Sequence, residues 1–246
     1  ISEEGIGALS VFLRDNSSLR KLNLSQNALS DEGGALLAHT LRRHPRLEML
    51  VLHGNQLGAK GGLAIGRLLG ANTALQEVLL WGNRLGCAGA MGIARGLAAH
   101  DSALTSLDLR NNRIGDDGLH ALIHDARLVY EMKIIQLQDN WITDAGLTTI
   151  ARAVDSGNFR PRHLNLFENK YSANSAEAED LRTTIRLKYV EVKMPARGAA
   201  VIGPVAHLPQ NLGRQHHVGA WPAGIAHGMA GDLFRKPARI DIGGVD

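Results

Sequence analysis

An eleven-residue motif recurs six times between Leu19 and Tyr171. The copies are LRKLNLSQNAL, LEMLVLHGNQL, LQEVLLWGNRL, LTSLDLRNNRI, MKIIQLQDNWI and PRHLNLFENKY. Their first residues are 28 or 29 positions apart, and the ninth residue is Asn in every copy. A regular repeat of this length predicts a stack of similar units, because one unit is too small to bury its own apolar face.

The first half of each unit predicts a short strand. Its fourth and sixth residues are apolar in every copy, which is the period of a strand with one face in the core. The amide of the ninth residue both donates and accepts hydrogen bonds, so stacked Asn side chains are expected to satisfy the backbone of the following turn. This predicted structural Asn ladder consists of Asn27, Asn55, Asn83, Asn112, Asn140 and Asn169.

The second half of each unit predicts a short helix. In the first five units a Gly is followed, four residues later, by Leu37, Ile65, Ile93, Leu122 or Ile150. Another residue follows after four more positions, and it is apolar in each of these units. Such an i, i+4 stripe is the buried face of an amphipathic helix. Strands stack about 4.8 Å apart but helices about 8–10 Å, so the array must curve with its strands inside.

These residues resemble the leucine-rich repeat, LxxLxLxxNxL, and the 28/29 alternation resembles the ribonuclease-inhibitor-like subclass. The resemblance implies an α/β solenoid, or horseshoe, with parallel strands on the concave face and helices on the convex face. It covers residues 1–190, as a half repeat and six repeats starting at 19, 47, 75, 104, 132 and 161.

The two ends of the chain depart from the repeat. Residues 1–18 match only the second half of a unit, so we expect the chain to be a fragment of a longer eukaryotic protein with its first apolar layer exposed. Residues 191–246 form a Gly/Pro-rich tail that includes five of the seven prolines and shows no sustained period. We expect this tail to be largely disordered.

The inner wall is the predicted partner-binding surface. Side chains at positions three, five and seven of each unit point away from the helices. Met49, Val51, Leu79 and Trp81 are therefore expected to form an exposed apolar patch, of the kind that marks interfaces. The residues predicted to surround or extend it are His53, Glu77, Asp108, Arg110, Gln138 and Phe167.

The sequence predicts no catalytic residue, cofactor, metal or small-molecule substrate. Cys87 has no neighbouring base in the motif, the tail histidines fit no zinc spacing, and the glycines of residues 58–66 lack the ending of a phosphate-binding loop. The net charge of +3 without a basic run argues against nucleic acid, and the apolar runs are too short for a membrane span. A single cysteine fits a reducing compartment, so we expect a cytoplasmic location.

The resemblance implies a non-enzymatic scaffold that binds a protein partner of unknown identity on its concave face. Two alternatives remain open. One is a GTPase-activating protein of the Ran GTPase-activating type, and the other is the sensor region of a nucleotide-binding innate-immune-type receptor.

Overall fold

The protein is described by a computed structural model that covers residues 3–98, 102–124, 132–188, 191–195 and 241–243. Strands and helices alternate along the chain. The helices are α1 (Glu3–Asp15), α2 (Asp31–Leu41), α3 (Ala59–Leu69), α4 (Gly86–Leu97), α5 (Gly115–His124), α6 (Asp144–Asp155) and α7 (Ala176–Lys188). The strands are β1 (Lys21–Asn23), β2 (Met49–Val51), β3 (Glu77–Leu79), β4 (Ser106–Asp108), β5 (Ile134–Gln136), β6 (His163–Asn165), β7 (Glu191–Lys193) and β8 (Asp241–Gly243).

Within the described ranges, β1 to β7 form one parallel sheet in which each strand pairs with the strand of the next repeat. Equivalent repeat positions face each other, as Leu50 faces Val78 and Val78 faces Leu107. The core lies between this sheet and the helices, and it contains the predicted strand positions and helix stripes. The predicted solenoid is therefore confirmed, with the strands on one side and the helices on the other.

The Asn ladder links each repeat to the one before it. The amide nitrogen of Asn55 donates to Leu52 O at 2.9 Å in its own repeat and to Leu24 O at 3.0 Å in the preceding repeat. Its side-chain oxygen accepts from the backbone N–H of Asn27 and Leu29 at 3.0 and 2.9 Å. The predicted ladder is thus present, and its bonds hold together neighbouring repeats as well as individual turns.

Helix starts are capped both within and between repeats. Within repeats, the side chain of Ser30 accepts from Gly33 N and that of Thr143 accepts from Ala145 N. Helix α3 begins after Gly58, which has no side chain for this purpose. Instead Asp31 of the preceding repeat accepts from Gly58 N at 2.6 Å and Gly61 N at 2.8 Å.

Helices α3 and α4 approach each other through glycines. A Cβ on Gly62 would lie 2.5 Å from the Gly89 Cα, and one on Gly66 would lie 1.9 Å from the Gly92 carbonyl oxygen. One on Gly96 would lie 1.8 Å from the Gly66 carbonyl oxygen. These contacts explain the glycines of residues 58–66 as packing residues. They also bring this helix pair closer than side chains would allow.

The expectation of an exposed first apolar layer is met in part, since Val11 and Phe12 are exposed whereas the helix stripe of the half repeat is buried. Ile6, Leu9 and Leu13 of α1 are buried, and α1 packs against α2. The exposed apolar side chains of α1 are Val11 and Phe12, which lie on its outer face.

Two short segments of the predicted tail are strands. Strand β7 extends the parallel sheet just beyond residue 190. Strand β8 pairs antiparallel with β1 at the opposite edge, with Leu22 facing Ile242. Residues 196–240, on which most of the disorder prediction rests, lie outside the described residues.

Candidate functional site

The predicted apolar patch is present as a cluster, but it is not exposed. Met49, Val51 and Leu79 contact one another on the concave side of the sheet, separate from the main core. Only 8%, 2% and 8% of their respective surfaces are accessible. Registered strands place these side chains directly beside one another, and side chains converge on the inner side of a curved sheet. The prediction that they are exposed is therefore wrong.

Trp81 is held between the two neighbouring repeats. Its ring stacks on the ring of His53 with 4.3 Å between centroids and 11° between planes. The guanidinium carbon of Arg110 lies 5.6 Å from the Trp81 ring centroid. Position seven thus forms a continuous stack across three repeats, which fixes the orientation of a half-exposed indole.

Arg110 is itself fixed by Asp108. The Arg110 Nε lies 2.9 Å from Asp108 Oδ1, and its Nη2 lies 2.5 Å from Oδ2. Asp108 is buried and Arg110 is half-buried. A bidentate pair in this setting fixes the plane of the guanidinium, so Arg110 is oriented before any partner arrives.

Burial also changes the acid–base chemistry of the wall. Desolvation first, and the positive charge of Arg110 second, lower the pKa of His53 to about 4, so the stacked imidazole is neutral at pH 7. Its Nδ1 has no hydrogen-bond partner among the described residues. Burial raises the pKa of Glu77, with Lys21 opposing this shift and Asp108 adding to it.

The predicted partner-binding residues therefore divide into two groups. One group is buried and forms a packed layer beneath the accessible side chains, called the floor: Met49, Val51, His53, Leu79 and Asp108. The residues with accessible side chains are Glu77, Trp81, Arg110, Gln138 and Phe167.

Sequence reasoning missed Trp141, which follows the ladder residue Asn140. Its side chain is 42% exposed. The guanidinium carbon of Arg113 lies 5.5 Å from its ring centroid, and Lys170 Nζ lies 4.1 Å from it. The available signal was its place directly after the ladder Asn, which lies outside the alternating positions used to find the wall.

The described residues offer little else for chemistry. No group of three or more His, Cys, Asp or Glu side chains within them is placed to hold a metal ion. None of their helices is long and apolar enough to cross a membrane.

A family model and one solved structure agree with this architecture. The leucine-rich repeat family model matches residues 15–38, 100–122 and 132–151. Among solved structures, the leiomodin-1 actin-binding site 2 is similar, with a TM-score of 0.50, 16% identity, and coverage of 63% of this chain and 87% of that one. The tropomodulin C-terminal domain of Caenorhabditis elegans has a TM-score of 0.49 at 12% identity, covering 75% of this chain and 93% of its own. No curated protein sequence matches the chain.

The fold and the repeat therefore define a solenoid of stacked strand–helix units. The chain contains leucine-rich repeats at the three segments that the family model matches, and it shares its fold with the leiomodin-1 structure. The ribonuclease-inhibitor-like subclass remains a prediction.

Proposed function

We propose that this protein is a non-enzymatic scaffold that binds a protein partner on its concave wall. The observation that carries the proposal is the orientation of Trp81, which is held between His53 and Arg110 while part of its ring remains accessible. An aromatic side chain that is already ordered loses little entropy on binding, and Trp and Arg are the residues that dominate interface energies.

Because the apolar cluster is buried, a partner contacts other side chains of this wall. Met49, Val51 and Leu79 support the surface from below, as a packed floor. The contacts come from the accessible set of Glu77, Trp81, Arg110, Gln138 and Phe167. GTPase activation and a receptor sensor role remain predictions, and no observation in the described residues favours either.

A site-specific photo-crosslinker tests the proposal. Phe167 on the concave side is 37% exposed and Phe12 on the outer face of α1 is 49% exposed, so each accepts benzoylphenylalanine with a similar aromatic shape. We expect the Phe167 variant to form covalent adducts with one protein from a eukaryotic lysate, and Trp81→Ala to reduce their yield. Actin is included as a purified candidate because the leiomodin-1 fragment is named an actin-binding site.

The Phe12 variant is the matched control. Adducts that form equally at both positions, or only at Phe12, contradict binding on the concave wall. If the yield of adducts at Phe167 is unchanged by Trp81→Ala, the proposed contact between Trp81 and the partner is contradicted.

A further inference from the structure

A row of exposed side chains borders the concave wall where the strands end. The row consists of Arg84, Arg113, Trp141 and Lys170, and we call it the rim row. Each of these residues directly follows a ladder asparagine. Because the ladder holds its asparagines at equivalent places in successive repeats, the residues that follow them are aligned across four repeats.

The centre of the rim row is an ordered cluster. The Trp141 ring lies between the cations of the two neighbouring repeats, 5.5 Å from the guanidinium carbon of Arg113 and 4.1 Å from Lys170 Nζ. Cation–π attraction holds both cations near the ring without neutralising their charge. The described ion pairs involve Arg20, Arg110 and Arg182, so none of them includes a rim-row cation.

The charges that face solvent along the row are mainly positive. Arg84, Arg113 and Lys170 are exposed. Asp139, which interacts electrostatically with Arg113 and Lys170, is half-buried; burial raises its pKa while Arg113 and Lys170 oppose that shift. Glu168 is the one exposed carboxylate in the same turn as Lys170. The exposed charges along the row are therefore three cations and Glu168, while Asp139 is less accessible.

The spacing fits an extended segment that crosses the strands. Neighbouring strands lie about 4.8 Å apart, so the row from Arg84 to Lys170 covers about 14 Å. An extended peptide rises about 3.3 Å per residue, so four or five residues span the row. Phe167, three residues before Lys170, adds an accessible apolar contact at one end.

We propose that the rim row binds an extended acidic segment of a protein partner, with Arg84, Arg113 and Lys170 contacting its carboxylates. This deepens the proposed function and rests on it, since the rim row borders the same wall. Trp141 acts as a positioning residue that keeps Arg113 and Lys170 in place.

The test uses the full chain and two fluorescein-labelled hexapeptides. One has the sequence Glu-Asp-Glu-Phe-Asp-Glu, and the other has Gln and Asn in place of the acids. By fluorescence anisotropy, we expect the acidic peptide to bind at least about tenfold more tightly, and the difference to shrink as salt is raised. Arg113→Gln with Lys170→Gln should abolish the difference, and Trp141→Ala should reduce it.

The matched control changes two exposed arginines elsewhere, by Arg67→Gln on α3 and Arg95→Gln on α4. The control should bind the acidic peptide as the unmodified chain does. Equal binding of the two peptides overturns the proposal, and so does an equal loss in the control. Equally tight binding of inorganic polyphosphate overturns it in favour of a general anion surface.

The two proposals can fail separately. If the photo-crosslinker captures a protein at Phe167 but the acidic peptide does not bind, the rim-row proposal fails and the scaffold proposal stands. If the peptide binds but the crosslinker captures nothing at Phe167, the rim row remains an acidic-peptide site and the use of the concave wall is contradicted.

Discussion

From Asn55 to Asn169, each ladder asparagine bonds to backbone groups in two repeats, so one truncation removes contacts in both. Asn112 is fully buried, and its amide nitrogen donates to Leu80 O, Leu109 O and Arg110 O at 3.0–3.1 Å. Asn112→Ala leaves these carbonyls without that donor. We expect a loss of about 2–4 kcal/mol in the free energy of unfolding, measured with urea.

Asn158→Ala is the control for this truncation, because Asn158 is exposed. It should change stability by less than about 0.5 kcal/mol. Similar losses in the two variants would contradict a stabilising role for the ladder hydrogen bonds.

His53 makes stability depend on pH. The unfolded chain takes up a proton near the ordinary His pKa of 6.5, whereas the folded chain keeps His53 neutral down to about pH 4. The contribution of neutral His53 to the free energy of unfolding is therefore complete above pH 6.5, and it is lost as the pH falls toward 4. We expect His53 to account for a loss of about 2 kcal/mol between about pH 7.5 and 5.

His53→Phe provides the comparison, since Phe preserves a flat ring against Trp81 and does not titrate. The pH dependence of unfolding, measured on both proteins, should be less steep in the variant over this range. Parallel curves would show that His53 is not held neutral by its burial.

At the scale of elements, the glycines of α3 and α4 determine how closely two repeats approach. A Cβ on Gly66 would lie 1.9 Å from a backbone oxygen of α4, which no rotamer change can relieve. Gly66→Ala should therefore separate the two helices and cost about 3 kcal/mol or more. Thermal or urea unfolding measures this cost.

Gly7→Ala is the matched helical control, because a Cβ on Gly7 in α1 meets no atom within 4 Å. Ala has the higher helix propensity, so this variant should gain about 0.5–1 kcal/mol. A Gly66→Ala variant as stable as the original chain would contradict the close packing of α3 and α4.

The sequence predicts the faces of each element better than it predicts their exposure. Leu50 and Val51 alternate between the two sides of β2, and this follows from the strand period alone. That Val51 is nevertheless buried follows from its neighbours in adjacent repeats, which only the folded sheet brings together. Trp141 was missed for a related reason, since its contacts with Arg113 and Lys170 cross two repeat boundaries.

At the scale of the whole molecule, the chain folds back so that both edges of the repeat array involve residues beyond 190. Strand β7 continues the sheet at one edge, and β8 pairs with β1 at the other. Arg182 donates to Ala173 O and Pro195 O at 2.8 and 3.0 Å, which fastens the segment after β7 to the last repeat. Composition alone did not predict these strands, because each is only three residues long.

Pairing with β8 should protect β1, which is otherwise an edge strand with unpaired backbone groups. We expect a chain that ends at Ile240 to exchange the backbone amides of Lys21 and Asn23, which face β8, about two- to tenfold faster, since each lost hydrogen bond contributes about 0.5–1.5 kcal/mol. Hydrogen exchange measured by mass spectrometry gives this rate. Gly243→Pro removes the backbone N–H that faces Lys21 without shortening the chain, so it should act in the same direction. Ser106–Asp108 of β4 should be unaffected because β3 and β5 remain on either side. Unchanged exchange in Lys21–Asn23 would contradict a protective role for β8.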